Sequence, residues 1–440
     1  MADDEHKLST GRLARLAKLA KMSAKLSTDV VSRGVKRIAN KESTESILGA
    51  GAAEKLVATL GDLKGLAMKI GQQVSMDPEL LSPEVRAVVA RLQNQAPPMP
   101  WPKVYEVLTA QLGRPPEEAY AEFEETPLAS ASLGQVHRAV TKDGTAVAVK
   151  VQYPDIGRAL MADLDNLGTM VGVLATATRM TQGKAYFSEL RESMMDELDY
   201  RQEAARAHQF AEAAAGAPDI RVPRVFDELT SEKVLTLELL HGPTLKDLLH
   251  HSAQLTNEER FRVSRLLIRA IWAPFLQHGL IHSDPHPGNF ILLADGTIGV
   301  LDFGAIKKLS PAWVDVNRRL FQHTMRGEPW DCIQLSIECG FTFDDPEGAR
   351  DFVATVVEIA TRPPRSSDLD FKTAGISRDL RNYFLKNATR LGSIRPPKES
   401  VQFYRAVGGM TQNLENLGAR GDFRSVYQEL LDLLPAKRTA

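Results

Sequence analysis

Four side chains far apart in the sequence have the types and spacing that phosphate chemistry needs. Asp284 and Asn289 stand five residues apart in His282-Ser-Asp-Pro-His-Pro-Gly-Asn289, and Asp302 opens Asp302-Phe-Gly304. Lys150 ends the upstream run Val147-Ala-Val-Lys150. The phosphates of a nucleotide require backbone N–H groups, a fixed cation and one or two Mg²⁺ held by oxygen ligands. Lys150 offers a cation, Asn289 and Asp302 offer oxygens of the kind that ligate Mg²⁺, and Asp284 offers a carboxylate of the kind that takes a proton. A partly buried lysine also needs a carboxylate partner, since breaking a buried pair costs about 3–5 kcal/mol. The helical stretch 186–215 offers Glu189, Glu192, Asp196, Glu197, Asp199, Glu203 and Glu212. Spacing alone does not choose among them.

These residues need turns and strands beneath them. The runs Gln135–Thr141 and Thr145–Val151 flank Lys142-Asp143-Gly144, and Asp-Gly between β-branched runs signals a hairpin. The segment Ala129-Ser-Ala-Ser-Leu-Gly-Gln-Val136 leads into the first of them. A second hairpin, Ile291-Leu-Leu and Ile298–Leu301 across Asp295-Gly296, brings Asn289 close to Asp302. Two more strands are expected near 222–229 and 233–239, and helices over 101–112, 155–178 and 186–215. After residue 243 the rest reads as helix. Ser310-Pro311 is an N-cap with proline at the first helical position. Only Ala305–Leu309 then separates Gly304 from a helix, which is too short to dock a peptide. His137 caps or fills a strand face, and His282, by resemblance to the protein-kinase loop pattern, packs beneath the loop. His286 lies between Asp284 and Asn289, so a nucleotide contact is open to it. Cys332 and Cys339, seven apart on an expected helix, read as buried small hydrophobes.

The chain has 440 residues, 54 Lys+Arg against 56 Asp+Glu, and 43% hydrophobic residues. That composition excludes wholesale disorder and a polytopic membrane protein, and the balanced charge argues against a nucleic-acid partner. Two cysteines exclude a disulfide framework and a Cys-only zinc site. No apolar run reaches the roughly 18 residues of a spanning helix, and the start Met-Ala-Asp-Asp-Glu lacks a signal-peptide pattern. The expectation is a cytoplasmic protein, attached to a membrane at most from one side. Residues 11–41 carry nine Lys/Arg and one Asp, Asp29, a net of +8. This stretch is either a solvated basic arm or a helix for an anionic membrane surface. Four segments result: a basic N-terminus over 1–42, a helical extension over 43–113, a sheet-bearing lobe over 114–241 and a helical lobe over 242–440. In the extension, a helix over Leu56–Met76 stops at Pro78, and another over Pro83–Gln93 ends at Pro97-Pro98-Met99-Pro100.

The order of these motifs resembles that of protein kinases: a loop before the first strands, V-A-x-K on the next, a catalytic-loop Asp with Asn five residues on, then D-F-G. Alanines Ala129 and Ala131 stand where kinases have glycines, only Gly134 keeps its place, and no A-P-E follows. Lys69-Ile-Gly-Gln72, Glu197-Leu-Asp199 and Ala129-Ser-Ala-Ser132 then make the chain similar to the UbiB/AarF/ADCK family of atypical kinases, over roughly residues 43–330. Lys69 and Gln72, three apart on a helix, share one face. By themselves they read as a solvated surface.

The resemblance implies an α+β, bilobal, protein-kinase-like fold with a small sheet lobe, a mainly helical lobe and an N-terminal helical extension over the cleft. It picks Glu203 as the partner of Lys150. It further implies that ATP or ADP, with Mg²⁺ on Asn289 and Asp302, is bound by Ala129, Ser130, Ala131, Ser132, Gly134, Val136, Lys150, Glu238, Leu240, Asn289 and Asp302. Asp284, Lys150 and Glu203 are its catalytic residues, and Lys69, Gln72, Glu197 and Asp199 gate access. The implied activity is ATP hydrolysis or phosphoryl transfer to a small or lipid-like molecule, with poor or no transfer to proteins. A lipid or isoprenoid-quinone intermediate is the implied partner, in support of ubiquinone or related isoprenoid-lipid metabolism. Two alternatives share parts of this pattern: a phosphotransferase of the aminoglycoside/choline-kinase type, and a nucleotide-sensing lipid-binding scaffold. Departures from the family pattern are Ser283, where Ala is frequent, and Ser130, which makes the loop A-S-A-S.

Overall fold

The computed structural model describes residues 98–131, 133–158, 160, 161, 164, 165, 191, 195, 196, 198–387, 390 and 392–434. The expected basic segment and the helices before residue 98 lie outside them, as do Lys69, Gln72, Ser132 and Glu197 and most of the helix expected over 155–178. The described residues divide into two compact units. One holds 98–110, 125–137 and the described part of 150–198; the other holds 111–124, 138–149 and those from 199 onward.

Helix α1, Trp101–Leu112, buries Val104 and Leu108, one turn apart on the same stripe. The strands β1 (Tyr120–Phe123), β2 (Ala129–Ser130), β3 (Gly134–Thr141) and β4 (Ala146–Gln152) follow. They join β6 (Val234–Glu238) in a sheet of order β1-β3-β4-β6, with β2 paired to β3. The expected Asp-Gly turn links β3 and β4. Gly144 takes φ +84°, and Asp143 accepts hydrogen bonds from the Thr145 N–H and the Thr141 hydroxyl. Along β4 the two-residue period buries Val147, Val149 and Val151, and sends Lys150 to the other face, half-buried.

The helix expected over 186–215 is interrupted. Asp199 has an extended backbone and accepts the Arg201 N–H at 3.0 Å as N-cap, so helix α2 runs Tyr200–Ala214. The strand expected near 222–229 falls earlier, as β5 (Ile220–Arg221). Pro223 has no N–H for a ladder, and beyond it only the bridge Val225↔Leu237 and a 3₁₀ turn at Asp227–Leu229 form. Helix α3, Asn257–His278, opens with a Thr256/Glu259 capping box and stops at Gly279, at φ +72°. Gly279 turns the chain into β7 (Leu280–His282). The hairpin of β8 (Phe290–Leu292) and β9 (Ile298–Val300) pairs Phe290 with Val300 and Leu292 with Ile298, and β5 lies parallel to β9.

The segment after Gly304 contains a strand that the sequence pattern missed, β10 (Ile306–Lys308). It pairs antiparallel with β7, Ile306 opposite His282. Helices α4 (Pro311–Arg326), α5 (Cys332–Glu338), α6 (Pro346–Ala360), α7 (Ile376–Lys386), α8 (Glu399–Leu417) and α9 (Phe423–Asp432) follow, and within the stretch expected to be all helix the two-residue strands Thr342–Phe343 and Ile394–Arg395 pair, as do Leu369–Asp370 and Arg420–Gly421. The core of the second unit includes Trp272 of α3, ringed by Phe275, Phe321, Phe403 and Tyr427. Arg269, 6% exposed, sits among these apolar residues because Asp219 and Glu429 pair with it. Cys332 and Cys339 are buried and unbonded to each other. Among the described residues no helix is long and apolar enough to cross a membrane.

Candidate active site in the catalytic loop

Helix α3, ended by Gly279, delivers the chain through β7 to His282, and from there a short loop is fastened at nearly every peptide. The Ser283 N–H and hydroxyl both donate to Ala305 O, at 3.0 and 2.7 Å. The Asp284 N–H donates to His282 Nδ1 at 3.3 Å. His282 is 1% exposed, and burial holds its pKa below the ordinary imidazole value against the opposing pull of the Asp302 and Asp284 carboxylates. A neutral ring whose Nδ1 accepts from the backbone is a fastening and does not serve as a base. His286 Nδ1 accepts the Gly288 N–H at 3.1 Å and caps the 3₁₀ turn Pro287–Asn289.

Asn289 Nδ2 then donates to Asp284 O at 3.1 Å, and the Leu301 N–H donates to Asn289 O at 2.9 Å. The first bond fixes the carboxamide and so decides where its Oδ1 is presented. The second ties the residue before Asp302 to Asn289, as the expected hairpin requires. Asp302 Oδ1 accepts the Gly304 N–H at 3.0 Å. Asp284, Asn289 and Asp302 are all half-buried, open enough to meet a ligand.

Helix α2 supports the same segment. Its buried stripe is Tyr200, Glu203, Ala204, Ala207 and Phe210, so Glu203 is a carboxylate within an apolar row, whereas Glu212 is exposed. Glu203 Oε1 accepts the Phe303 N–H at 3.3 Å, and Arg206 Nη1 donates to Gly304 O at 2.9 Å. Phe303 is fully buried beside Phe210, ring centroids 5.9 Å apart. From α8, Asn413 Nδ2 donates to Pro285 O at 2.6 Å, and Glu399 accepts from the N–H and hydroxyl of Ser310. Sequence reasoning missed Arg206, Asn413 and Glu399. Arg206 had a signal, since it stands one turn from Glu203; the other two are more than 80 residues from their partners and had none.

The alanine-rich loop belongs to the other unit. β2 and β3 pair Ala129 with Val136 and Ser130 with Gln135, and the Ala131 N–H donates to Gly134 O at 2.9 Å. Ala129 and Ser130 are exposed, Ala131 and Val136 half-buried. A Cβ on Gly134 would lie 2.2 Å from Val151 O, so the glycine there is demanded by the approach of β4. Of the other expected nucleotide contacts, Glu238 spends its carboxylate on Arg221, at 2.7 and 3.0 Å, and on the Arg224 N–H at 3.1 Å. These residues line a cleft of about 570 Å³ with Thr145, Ala207 and Val225. Leu240 packs over Gly299 of β9, where a Cβ would meet it at 2.7 Å. Asp199, expected to gate, is engaged with Arg201 at the start of α2.

The donor set suits a hard cation. Asn289 and Asp302 offer oxygens, and among the described residues no group of three or more His, Cys, Asp or Glu forms a site for a metal of its own. Two protein oxygens completed by phosphate oxygens and water is the usual Mg²⁺ arrangement.

Residues 91–336, more than half of the chain, match the family pattern described as the ABC1 atypical kinase-like domain. The chain belongs to the ABC1 atypical kinase-like family. The UbiB/AarF/ADCK resemblance pointed to this group. The chain is 29% identical to the rat protein "Atypical kinase COQ8B, mitochondrial", over 97% of this chain and 81% of that one. It is 26% identical to "Atypical kinase COQ8, mitochondrial" of Saccharomyces cerevisiae, over 96% and 85%. It is similar in structure to Rv3197 of Mycobacterium tuberculosis, solved in complex with erythromycin: TM-score 0.62, 30% identity, 86% of this chain and 95% of that chain covered. The α+β fold is protein-kinase-like, and folds of this family bind ATP with Mg²⁺.

Proposed function

We propose that the protein binds Mg²⁺–ATP and either hydrolyses it or transfers its phosphoryl group to a small or lipid-like molecule, in support of ubiquinone or related isoprenoid-lipid metabolism. The observation that carries the reading is the anchored pair: Asn289 fixed through Asp284 O, and Asp302 tied beside it through Leu301. In this reading Asn289 and Asp302 hold the metal, which neutralises phosphate charge. Lys150 supplies a fixed cation, Glu203 carries the opposing charge for it, and Asp284 takes the proton of the attacking water or hydroxyl. The loop Ala129–Ala131 with Gly134 gives backbone N–H groups to the phosphates, and Lys69, Gln72, Glu197 and Asp199 govern access.

The strand β10 supports the preference against protein substrates. A peptide platform would have to lie between Gly304 and α4, and Ile306–Lys308 is already committed to pairing with β7. The relatives named COQ8, similar to this chain over nearly its whole length, support the lipid-metabolic setting. The basic stretch 11–41 is assigned to an anionic membrane surface.

The test is nucleotide turnover by the full chain, with and without anionic liposomes and quinone-precursor mimics, with Asp302→Asn as control. The expected result is Mg²⁺-dependent turnover, raised by the liposomes in a salt-sensitive way and lost in the control. No Mg²⁺-dependent nucleotide binding in the wild-type chain overturns the reading. Lys69→Ala raises turnover or shifts nucleotide specificity if the gate assignment holds; a variant that merely unfolds sinks it.

A further inference from the structure

Two successive carbonyls of the catalytic loop are each held by a carboxamide. Asn289 Nδ2 takes Asp284 O at 3.1 Å, and Asn413 Nδ2 takes Pro285 O at 2.6 Å. Asn413 is 4% exposed, on a buried stripe of α8 with Ala406, Gly409, Met410, Leu414 and Leu417. Fourteen residues earlier on the same helix, about 21 Å along its axis and close to the same face, Glu399 grips Ser310 at 2.9 Å. Thus α8 acts as a strut, clamping the loop near one end and the exit of the Asp302 segment near the other. The strut itself is fixed, because Phe403 packs between Phe275 and Trp313.

The chemistry of the loop gives this contact a consequence beyond packing. The proline ring locks φ at Pro285, so the Asp284 carbonyl on one side of the ring is held in a nearly fixed relation to the Pro285 Cα that carries the clamped carbonyl on the other. Releasing Pro285 O lets Pro285 shift as a unit, and through the locked ring the Asp284 carbonyl shifts with it. Asp284 O is the anchor that aims the Asn289 carboxamide. We propose that Asn413 is a positioning residue for metal binding: by holding Pro285 O it sets the Asp284 carbonyl, and so the direction of Asn289 Oδ1. The metal-binding role of Asn289 belongs to the function proposed above; the hold on the loop does not depend on it.

The experiment compares Asn413→Ala with Leu414→Ala, its buried neighbour facing the core of the same helix, in the full chain. Two quantities are read: the Mg²⁺ concentration for half-maximal nucleotide turnover against nucleotide affinity in EDTA, and amide hydrogen exchange of a peptide spanning 283–292. Asn413→Ala is expected to raise the Mg²⁺ requirement at least fivefold with EDTA affinity within twofold of wild type, and to speed loop exchange at least fivefold. Leu414→Ala, destabilised to a similar extent, moves neither. Equal effects of the two variants, or a wild-type Mg²⁺ requirement and loop exchange in Asn413→Ala, overturn the proposal. Should the alanine variant fail to fold, Asn413→Asp keeps the volume, loses the donor and takes the same test. If the wild-type chain shows no Mg²⁺-dependent nucleotide binding, the proposed function falls, and the exchange measurement alone decides whether Asn413 holds the loop.

Discussion

The backbone N–H of Phe303 donates to Glu203 Oε1 at 3.3 Å, in a place sealed from water. One turn further along α2, Arg206 donates to Gly304 O. The helix therefore grips both the N–H after Asp302 and the carbonyl two residues after it, and a displacement of α2 is a displacement of Asp302. Glu203, proposed above to face Lys150 with its charge, is here also a backbone acceptor.

That double task separates two substitutions. Glu203→Ala leaves the Phe303 N–H buried and unpaired, a loss of about 1–3 kcal/mol in denaturant unfolding. Glu203→Gln keeps an Oε1 acceptor and stays within about 1 kcal/mol of the wild type. Both lose nucleotide turnover by at least tenfold, since both lack the charge proposed to face Lys150. A Gln variant as unstable as the Ala variant would show that the hydrogen bond contributes nothing.

Asp302→Asn is the complementary case. Its Oδ1 can still accept the Gly304 N–H, a bond of 3.0 Å in the wild type, so the turn survives and the unfolding midpoint is unchanged. What is lost is the anionic oxygen for a divalent cation. Nucleotide affinity measured in EDTA stays the same, whereas the enhancement by Mg²⁺ disappears. Enhancement equal to that of the wild type would remove Asp302 from the metal site.

The alanine-rich loop yields opposite predictions for two neighbouring residues. Ala131→Gly relaxes a backbone whose Cβ keeps the chain from positive φ and from close approach to a ligand, and it is expected to change nucleotide affinity and turnover. Gly134→Ala forces a Cβ to 2.2 Å from Val151 O, and overpacking of that kind costs about 1–3 kcal/mol or more. Unfolding and nucleotide titration of both variants check the pair. If Ala131→Gly is silent in both affinity and turnover, the loop does not touch phosphate.

How much of this was legible in the sequence follows from the range of each signal. The turns at Asp143-Gly144 and Asp295-Gly296 were readable because a hairpin is specified by adjacent residues, and both formed as expected. The cap at Ser310 and Pro311 was readable for the same reason. The strand at Ile306–Lys308 was not, because three residues show no period and its partner is β7, more than 20 residues earlier. The break in the helix expected over 186–215 was not, because it lies at Asp199, whose role as a cap depends on the extended backbone it adopts. Glu203 was chosen on family resemblance, although its place among Tyr200, Ala204 and Ala207 on one buried stripe was a signal in the residues themselves. Asn413 and Glu399 act across long sequence gaps, and no local pattern encodes such a contact.

Alkaline pH tests the sheet. Tyr120 opens β1 and is 1% exposed, and its hydroxyl lies 2.8 Å from Thr236 Oγ1 on β6. The Thr236 hydroxyl donates to Leu229 O at 2.7 Å, which leaves Tyr120 as the donor in the first bond. Burial pushes the phenol up from 10.0 to about 12. Between those two values the unfolded chain has released the phenolic proton and the folded chain still holds it, so stability falls as pH rises through this window and is complete below it. Tyr120→Phe removes the titration together with one hydrogen bond. It is less stable than the wild type by about 1 kcal/mol at neutral pH, and its alkaline slope is shallower, so that the two unfolding curves converge as pH climbs. Taking the difference between the two chains cancels the buried Cys339 thiol, also raised to about 12. Parallel curves would mean that the phenol is solvated in the folded protein and that the contact between β1 and β6 is looser than described.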